Sequence, residues 1–347
     1  MEWNWGTGRA ANLPASSSLE AAAEVIDGTS TVIFITKRDS KINLFAAIVL
    51  LSMLALAVIV TKFYFIDEWE EGGIAMGRQR TSNCTLVTAF FTLGFNASSA
   101  SVAQRKLLGQ WHAMFRPILH LRLPMVVFTD AVSMPLVAAV RHSVQMQNHT
   151  RIWNISVSEL PLWLNFSLFR AIIDEQLREG WDQAAPSHQL QNRSVEFRIL
   201  ANSKTYFLHN ASAENQFNSS AFAWMDPTYG HGKPSFFPAK FEWEPKFPAG
   251  KISLLKLAPV NDSIYLYDKD DLTHNRDVNL LSTEFMAGDR KSIEKFHQLF
   301  VERLSEEVVR EHIFDEDDQP LLLSLIKERP SLFNLVQGEW FNAFHLF

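Results

Sequence analysis

An uncharged apolar run, "LFAAIVLLSMLALAVIVT" at residues 44–61, limits what this chain can fold into more than any other stretch. As a helix it spans roughly 27 Å at about 1.5 Å per residue, close to the thickness of a bilayer core. "KFYFI" prolongs it past Lys62, whose stem can snorkel, and sets Phe63, Tyr64 and Phe65 where aromatic rings collect at an interface. The run is too long, and starts too far from Met1, for a cleaved signal peptide. A transmembrane signal-anchor over 43–66 is expected. Lys37, Arg38 and Lys41 precede the span, and Asp67, Glu68, Glu70 and Glu71 follow it. The positive-inside tendency then leaves the N-terminus in the cytoplasm and the rest of the chain in a lumen or outside the cell.

Glycosylation sequons bear on the same topology. Asn-x-Ser/Thr occurs at Asn83, Asn96, Asn148, Asn154, Asn165, Asn192, Asn210, Asn218 and Asn261. These are nine of the fifteen asparagines after the span and none of the three before it. Chance would give about two. A single-pass type II glycoprotein of the Golgi or endoplasmic reticulum membrane is expected, with the cell surface as the alternative. Residues 1–42 lack sustained apolar periodicity and read as a disordered cytoplasmic tail. Residues 67–83 carry charges and glycines and read as a stem. Residues 84–347 remain for one lumenal domain.

Of the 347 residues, 47% are hydrophobic and 12% aromatic, enough for a sizeable core. The net charge of −6 and the lack of a long basic block argue against a nucleic-acid partner. The one cysteine, Cys84, excludes an intrachain disulfide.

Beyond residue 84, strand-like and helix-like patterns alternate. "TLVTAFF" (85–91), "PMVVFTD" (124–130) and "AFAWMD" are short apolar runs that read as buried strands. "RIWNISV", "GKISLLKLAPV" and "SIYLYD" read as further strands. Leu108, Trp111, Phe115 and Ile118 mark a helix over 101–121, and Ile293, Phe296, Phe300 and Leu304 another over 290–311. Helices are also expected over 131–146, 167–180 and 190–212, and from "QPLLLSLIKE". Such alternation implies an α/β domain with a mostly parallel sheet flanked by helices. Ligands bind such sheets outside the carboxyl ends of the strands, where Asp130 and Asp226 are both expected.

"FAWMDPTYGHG" ends an apolar run on Asp226, beside a bend that permits close backbone approach. Transfer of a sugar from a nucleotide diphosphate must neutralise charge on the leaving diphosphate, commonly through a divalent metal held by carboxylates. Asp226 and His231 are candidate metal ligands, for manganese or magnesium, and Tyr229 a candidate donor contact. Asp226 as a turn cap is the structural alternative. Asp268 and Asp270 in "IYLYDKDD" form a competing pair, or a solvated charged loop. Asp130 is a candidate nucleotide contact, and Lys204 in "ANSKTYFLHNA" a point charge for a diphosphate. Asp317 and Asp318, ahead of a helix, either suit its dipole or serve as general base for an acceptor hydroxyl. There is no G-x-S-x-G elbow, H-E-x-x-H or P-loop.

In their order, "LVTAFFTLGF", "MVVFTD", "NSKTYFL" and "FAWMDPTYG" resemble the HtrL/YibB family over roughly residues 84–345. Bacterial members of that family are encoded among lipopolysaccharide-core sugar genes. The order of elements also looks like the nucleotide-sugar-binding GT-A fold, whose metal-binding Asp-x-Asp maps onto Asp226. Position 228 is Thr, so the second acid of that pair is missing. A single-carboxylate site or a protein without catalysis are the two readings. The "MAGD" turn at 286–289 and "DEDDQPLLL" are similar to glycosyltransferase acceptor regions. The resemblance implies a glycosyltransferase taking a nucleotide sugar and a glycan or glycoprotein acceptor. The rival is a non-catalytic lumenal or cell-surface binding protein on the same fold.

Overall fold

A computed structural model describes residues 82–95, 99–178, 194–268, 272, 278–315 and 317–347. The expected tail, anchor and stem up to residue 81, with Asn96, Asn192, Asp270 and Glu316, lie outside the described residues. Among the described residues no helix is long and apolar enough to cross a membrane.

One seven-stranded sheet runs in the order β3-β2-β1-β4-β6-β5-β7. Its strands are β1 (Cys84–Phe90), β2 (Met125–Thr129), β3 (Thr150–Asn154), β4 (Ala221–Met225), β5 (Ile252–Lys256), β6 (Leu281–Gly288) and β7 (Phe333–Gln337). β1 is parallel to β2 and β4, β2 to β3, and β5 to β7. β6 alone runs against its two neighbours, β4 and β5. The sheet is therefore mixed, with four of six pairings parallel. Every residue of β1 and β2 is buried, as their unbroken apolar runs require of strands covered on both faces.

Helices cover both faces. On one side α1 (Val102–His120) and α2 (Met134–Ser143) pack Phe115, Ile118, Val137 and Val140 onto Leu86, Val127 and Met225. On the other lie α3 (Phe166–Arg178), α4 (Val195–Ala201), α5 (Lys204–Glu214), α6 (Arg290–Glu306) and α7 (Gln319–Glu328). There Phe207 of α5 stacks on Trp224 at 5.9 Å and tilts against Phe128 at 4.8 Å. A short C-terminal helix, α8 (Ala343–Leu346), returns to the first face and buries Ala343 and Phe344. A capping box starts α1: Ser101 Oγ accepts from Gln104 N, and Gln104 Oε1 accepts from Ser101 N.

Several expectations are corrected. The helix expected over 190–212 breaks at Asn202 and Ser203. Their side chains donate to carbonyls of the preceding turn, Asn202 to Arg198 and Ser203 to Ile199, and Asn202 also to Asp315. The break puts Lys204 at the first turn of a new helix. "SIYLYD" forms a 3-10 turn, Ile264–Leu266, instead of a strand, with Tyr265 and Leu266 exposed. "MAGD" is no turn: Met286, Ala287 and Gly288 end β6, and Asp289 caps α6 by accepting from Ser292 N at 2.9 Å. The helix expected to reach 311 ends as α6 at Glu306 and continues as one π turn.

The bend after Asp226 does approach a backbone closely, but that of a helix. Gly230, His231 and Gly232 have φ of 69°, 50° and 71°. A Cβ on Gly232 would lie 2.8 Å from Met114 Cα and 3.2 Å from Ala113 O in α1. Gly232→Ala is expected to lower unfolding free energy by about 1–3 kcal/mol, through strain and the displaced helix. A urea midpoint equal to the wild type's would contradict that packing.

Candidate functional site

Asp130 and Asp226 follow the carboxyl ends of β2 and β4, parallel strands on either side of β1, and so share one edge of the sheet. Their carboxylates do different work. Asp130 Oδ2 accepts from Thr92 Oγ1 at 2.6 Å and from Thr92 N, and Oδ1 from Val132 N and Ser133 N. It ties the loop after β1 to the start of α2, so its four contacts are all to the scaffold.

Asp226 belongs to a group of charges gathered from distant parts of the chain. Its N–H donates at 2.8 Å to the carbonyl of Glu284, a residue of β6. Its Oδ1 accepts from Thr228 N at 2.9 Å and Thr228 Oγ1 at 2.7 Å. Lys204 Nζ, at the start of α5, reaches Asp318 Oδ2 at 3.0 Å, the side chains being 12% and 2% exposed. The same ammonium lies 3.5 Å from Thr283 O and 3.4 Å from Thr283 Oγ1. Burial alone would lower the Lys204 pKa, but Asp318, Asp226 and Asp317 outweigh it and hold the group above its usual value. Glu284 is pushed up to about 8, first by burial and then by Asp226, with Lys204 opposing. Asp317 rises to about 6, again chiefly by burial, with Asp318 and Asp315 adding to it and Gln319 N donating against it. Among the described residues, Glu284 Oε2 and Asp318 Oδ1 are buried with no hydrogen-bond partner.

The expected site residues thus divide. Asp226, Lys204, Asp317 and Asp318 come together, across 114 residues in the case of the Lys204–Asp318 pair. Tyr229 does not join them: it is fully buried, edge-on to Phe237, Phe341 and Phe344, and its hydroxyl accepts from Ala343 N. A donor contact by Tyr229 is corrected to a core role, because burial of an aromatic ring outweighs its place in the loop. His231 is exposed and lies edge-on to Phe341 at 5.0 Å. Asp268 is exposed and follows the 3-10 turn Ile264–Leu266 in the chain. Glu284 was not anticipated, because polar residues 282–284 interrupt the apolar signal of β6.

Nor was a cavity of about 290 Å³ beside the end of β1, lined by Phe90, Phe91, Phe95, Leu108, Trp111 and Phe197 among others. It adjoins Thr92, the residue held by Asp130. The half-buried Leu108 and Trp111 of the expected helical stripe line this cavity, while Phe115 and Ile118 enter the core.

The described side chains do not by themselves form a complete divalent-metal site. Among the described residues no group of three or more His, Cys, Asp or Glu is arranged to hold an ion. Asp226 Oδ1 is taken by Thr228, and Asp318 Oδ2 by Lys204.

A family model described as a bacterial protein of unknown function, HtrL/YibB, matches residues 82–347, from just before β1 to the C-terminus. The chain belongs to the HtrL/YibB family. Protein HtrL of Escherichia coli is 24% identical over 277 residues, covering 77% of this chain and 93% of its own length. Among solved structures, mouse xyloside xylosyltransferase 1 aligns with a TM-score of 0.37 and 11% identity, over 72% of this chain and 84% of that one. Mannosyltransferase Ktr4p from S. cerevisiae aligns at 0.38 and 9%, over 82% and 74%. The 4-diphosphocytidyl-2C-methyl-D-erythritol synthase from Anaerococcus prevotii aligns at 0.33 and 13%, over 75% and 89%. TM-scores below 0.5 do not establish a shared fold. The HtrL/YibB match covers β1 through β7 and all the residues of the charged group.

Proposed function

We propose that residues 84–347 form a GT-A-like lumenal domain that transfers a sugar from a nucleotide sugar to a hydroxyl of a glycan or glycoprotein. The observation that carries this proposal is the pair of buried, unpartnered carboxyl oxygens, Glu284 Oε2 and Asp318 Oδ1, beside Lys204. An unsatisfied buried acceptor costs about 1–3 kcal/mol, and sugar hydroxyls are donors that would relieve it. The acceptor oxygen would attack the anomeric carbon as the bond to the diphosphate breaks, the electron pair leaving with the diphosphate. Asp317, with its pKa raised to about 6, is ionised at neutral pH and basic enough to take the acceptor proton. Lys204 would counter the charge on the leaving group. The aromatic cavity beside β1 suits the base of the nucleotide.

Release of nucleoside diphosphate from a panel of nucleotide sugars by the full-length protein, in detergent, tests the proposal. Turnover of at least one donor is expected, falling ~10²-fold in Asp226→Asn, as when a preorganised charged group is lost. The Thr228 contacts of Asp226 favour the rival, a binding protein in which Asp226 only caps its turn. Donor binding without turnover, unchanged in the variant, would establish that rival.

The type II topology, in the Golgi or endoplasmic reticulum, belongs to the same proposal. It is supported by the apolar run, its flanking charges and the sequons. Asn83, Asn148, Asn154, Asn218 and Asn261 are exposed, and Asn165 and Asn210 half-buried. Protein expressed in cells should shift in mobility on glycosidase treatment, and an unshifted band would refute the topology.

A further inference from the structure

A divalent ion is the usual counter-charge to a leaving diphosphate, and this cluster holds a different cation in fixed contacts. Lys204 Nζ touches Asp318 Oδ2, Thr283 O and Thr283 Oγ1, with its side chain 12% exposed. Asp226, Asp317 and Glu284 all lie within its field. Lys204 also opens the eleven-residue helix α5, whose N-terminal dipole adds positive character at the same point. Around this ammonium the acids lack the arrangement a metal needs, among the described residues.

We propose that Lys204 is the built-in cation of this site, standing where a divalent metal would, so that the charge of its acids is balanced here without a metal ion. The purpose of the arrangement rests on the proposed sugar transfer, but the arrangement itself does not. Asp318 Oδ1, buried and without a partner among the described residues, is the second sign of a ligand. Lys204 holds the other oxygen of that carboxylate, which leaves the acceptor capacity of Oδ1 unused. The missing acid at position 228 follows as well. With a lysine supplying the charge, Thr228 can instead donate to Asp226 and hold its carboxylate in place.

The test is thermal unfolding of the full-length protein in detergent, with millimolar manganese or with chelator, at about pH 8 and about pH 5, where a buried carboxylate cluster differs most in charge. The wild-type midpoint should be the same with manganese and with chelator. Lys204→Met should unfold well below the wild type at the higher pH and recover much of the difference at the lower one, as the orphaned acids take up protons. Lys204→Arg should stay nearer the wild type. A manganese-dependent rise in the wild type that Asp226→Asn abolishes would overturn the proposal, as would a Lys204→Met midpoint equal to the wild type's at both pH values. If Lys204→Met does not accumulate folded, the manganese comparison of wild type and Asp226→Asn decides alone. Failure of the transferase proposal would appear as absent turnover and would leave these midpoints unmoved.

Discussion

Arg141→Met is expected to destabilise the domain by roughly 3–5 kcal/mol, although Arg141 is remote in role from any chemistry. The guanidinium is fully buried in α2. Its Nη1 donates to Leu119 O at 3.0 Å and Leu121 O at 2.6 Å, Nη2 to Leu123 O at 2.9 Å, and Nε to Thr150 Oγ1 at 2.7 Å. Three successive odd-numbered carbonyls, at the end of α1 and in the connection to β2, thus find donors in one planar fork. Methionine fills much of the volume and donates nothing. Each orphaned carbonyl then costs about 1–3 kcal/mol, partly offset because no cation remains to be desolvated. Burial already pulls the Arg141 pKa down to about 10, a sign of that desolvation. Arg141→Lys should also lose stability, since an ammonium cannot span three acceptors in a plane. Urea unfolding gives the measurement: midpoints should drop at unchanged slope. A loss under about 1 kcal/mol for the methionine variant would mean that other donors reach those carbonyls.

Arg141 also marks where a sequence stops being legible. The helix that carries it was visible, but its three carbonyl partners lie 18 to 22 residues away on a segment whose path no local pattern reports. β1, β2 and β4 were legible because a strand buried on both faces has to be apolar throughout. Their shared edge followed, and with it the placement of Asp130 and Asp226. β6 and β7 were not legible. Ser282, Thr283 and Glu284 interrupt the one, and Asn334 and Gln337 the other, because these strands place polar groups at the site and the rim.

The charged group was half legible for a related reason. Asp226 and Lys204 stood out as charges in apolar stretches do, and Asp317 and Asp318 as part of an acidic run ahead of a helix. Their convergence is a property of topology: β6 inserts between β4 and β5 and brings Thr283 and Glu284 to the group. Tyr229 misled because residue type does not encode direction. The left-handed turn at Gly230, His231 and Gly232 packs the segment against α1 and leaves the ring inside the aromatic core.

Glu284→Gln is expected to make the protein more stable than the wild type in mild alkali, with little difference in acid. In the folded protein burial, then Asp226, raises Glu284 from 4.5 to about 8. Unfolding returns it to its ordinary value. Between those two values the native state keeps a proton that the unfolded chain has released. Stability from this group is therefore greatest below about pH 4.5 and falls as pH rises, until the folded form also ionises near pH 8. The limiting slope is about 1.4 kcal/mol per pH unit, and the total over the window is on the order of a few kcal/mol. Glutamine keeps the shape and carries no titrating proton, so its stability lacks that decline. Asp317, raised to about 6, adds a second decline at lower pH that wild type and variant share, so the difference between them isolates Glu284. Unfolding free energies for both proteins, taken at intervals from about pH 5 to about pH 9, give the curve. The variant's advantage should grow across that range and level off near its upper end. A constant difference would show that Glu284 ionises normally, and the charge balance around Asp226 and Lys204 would then have to be drawn with one more negative charge at neutral pH.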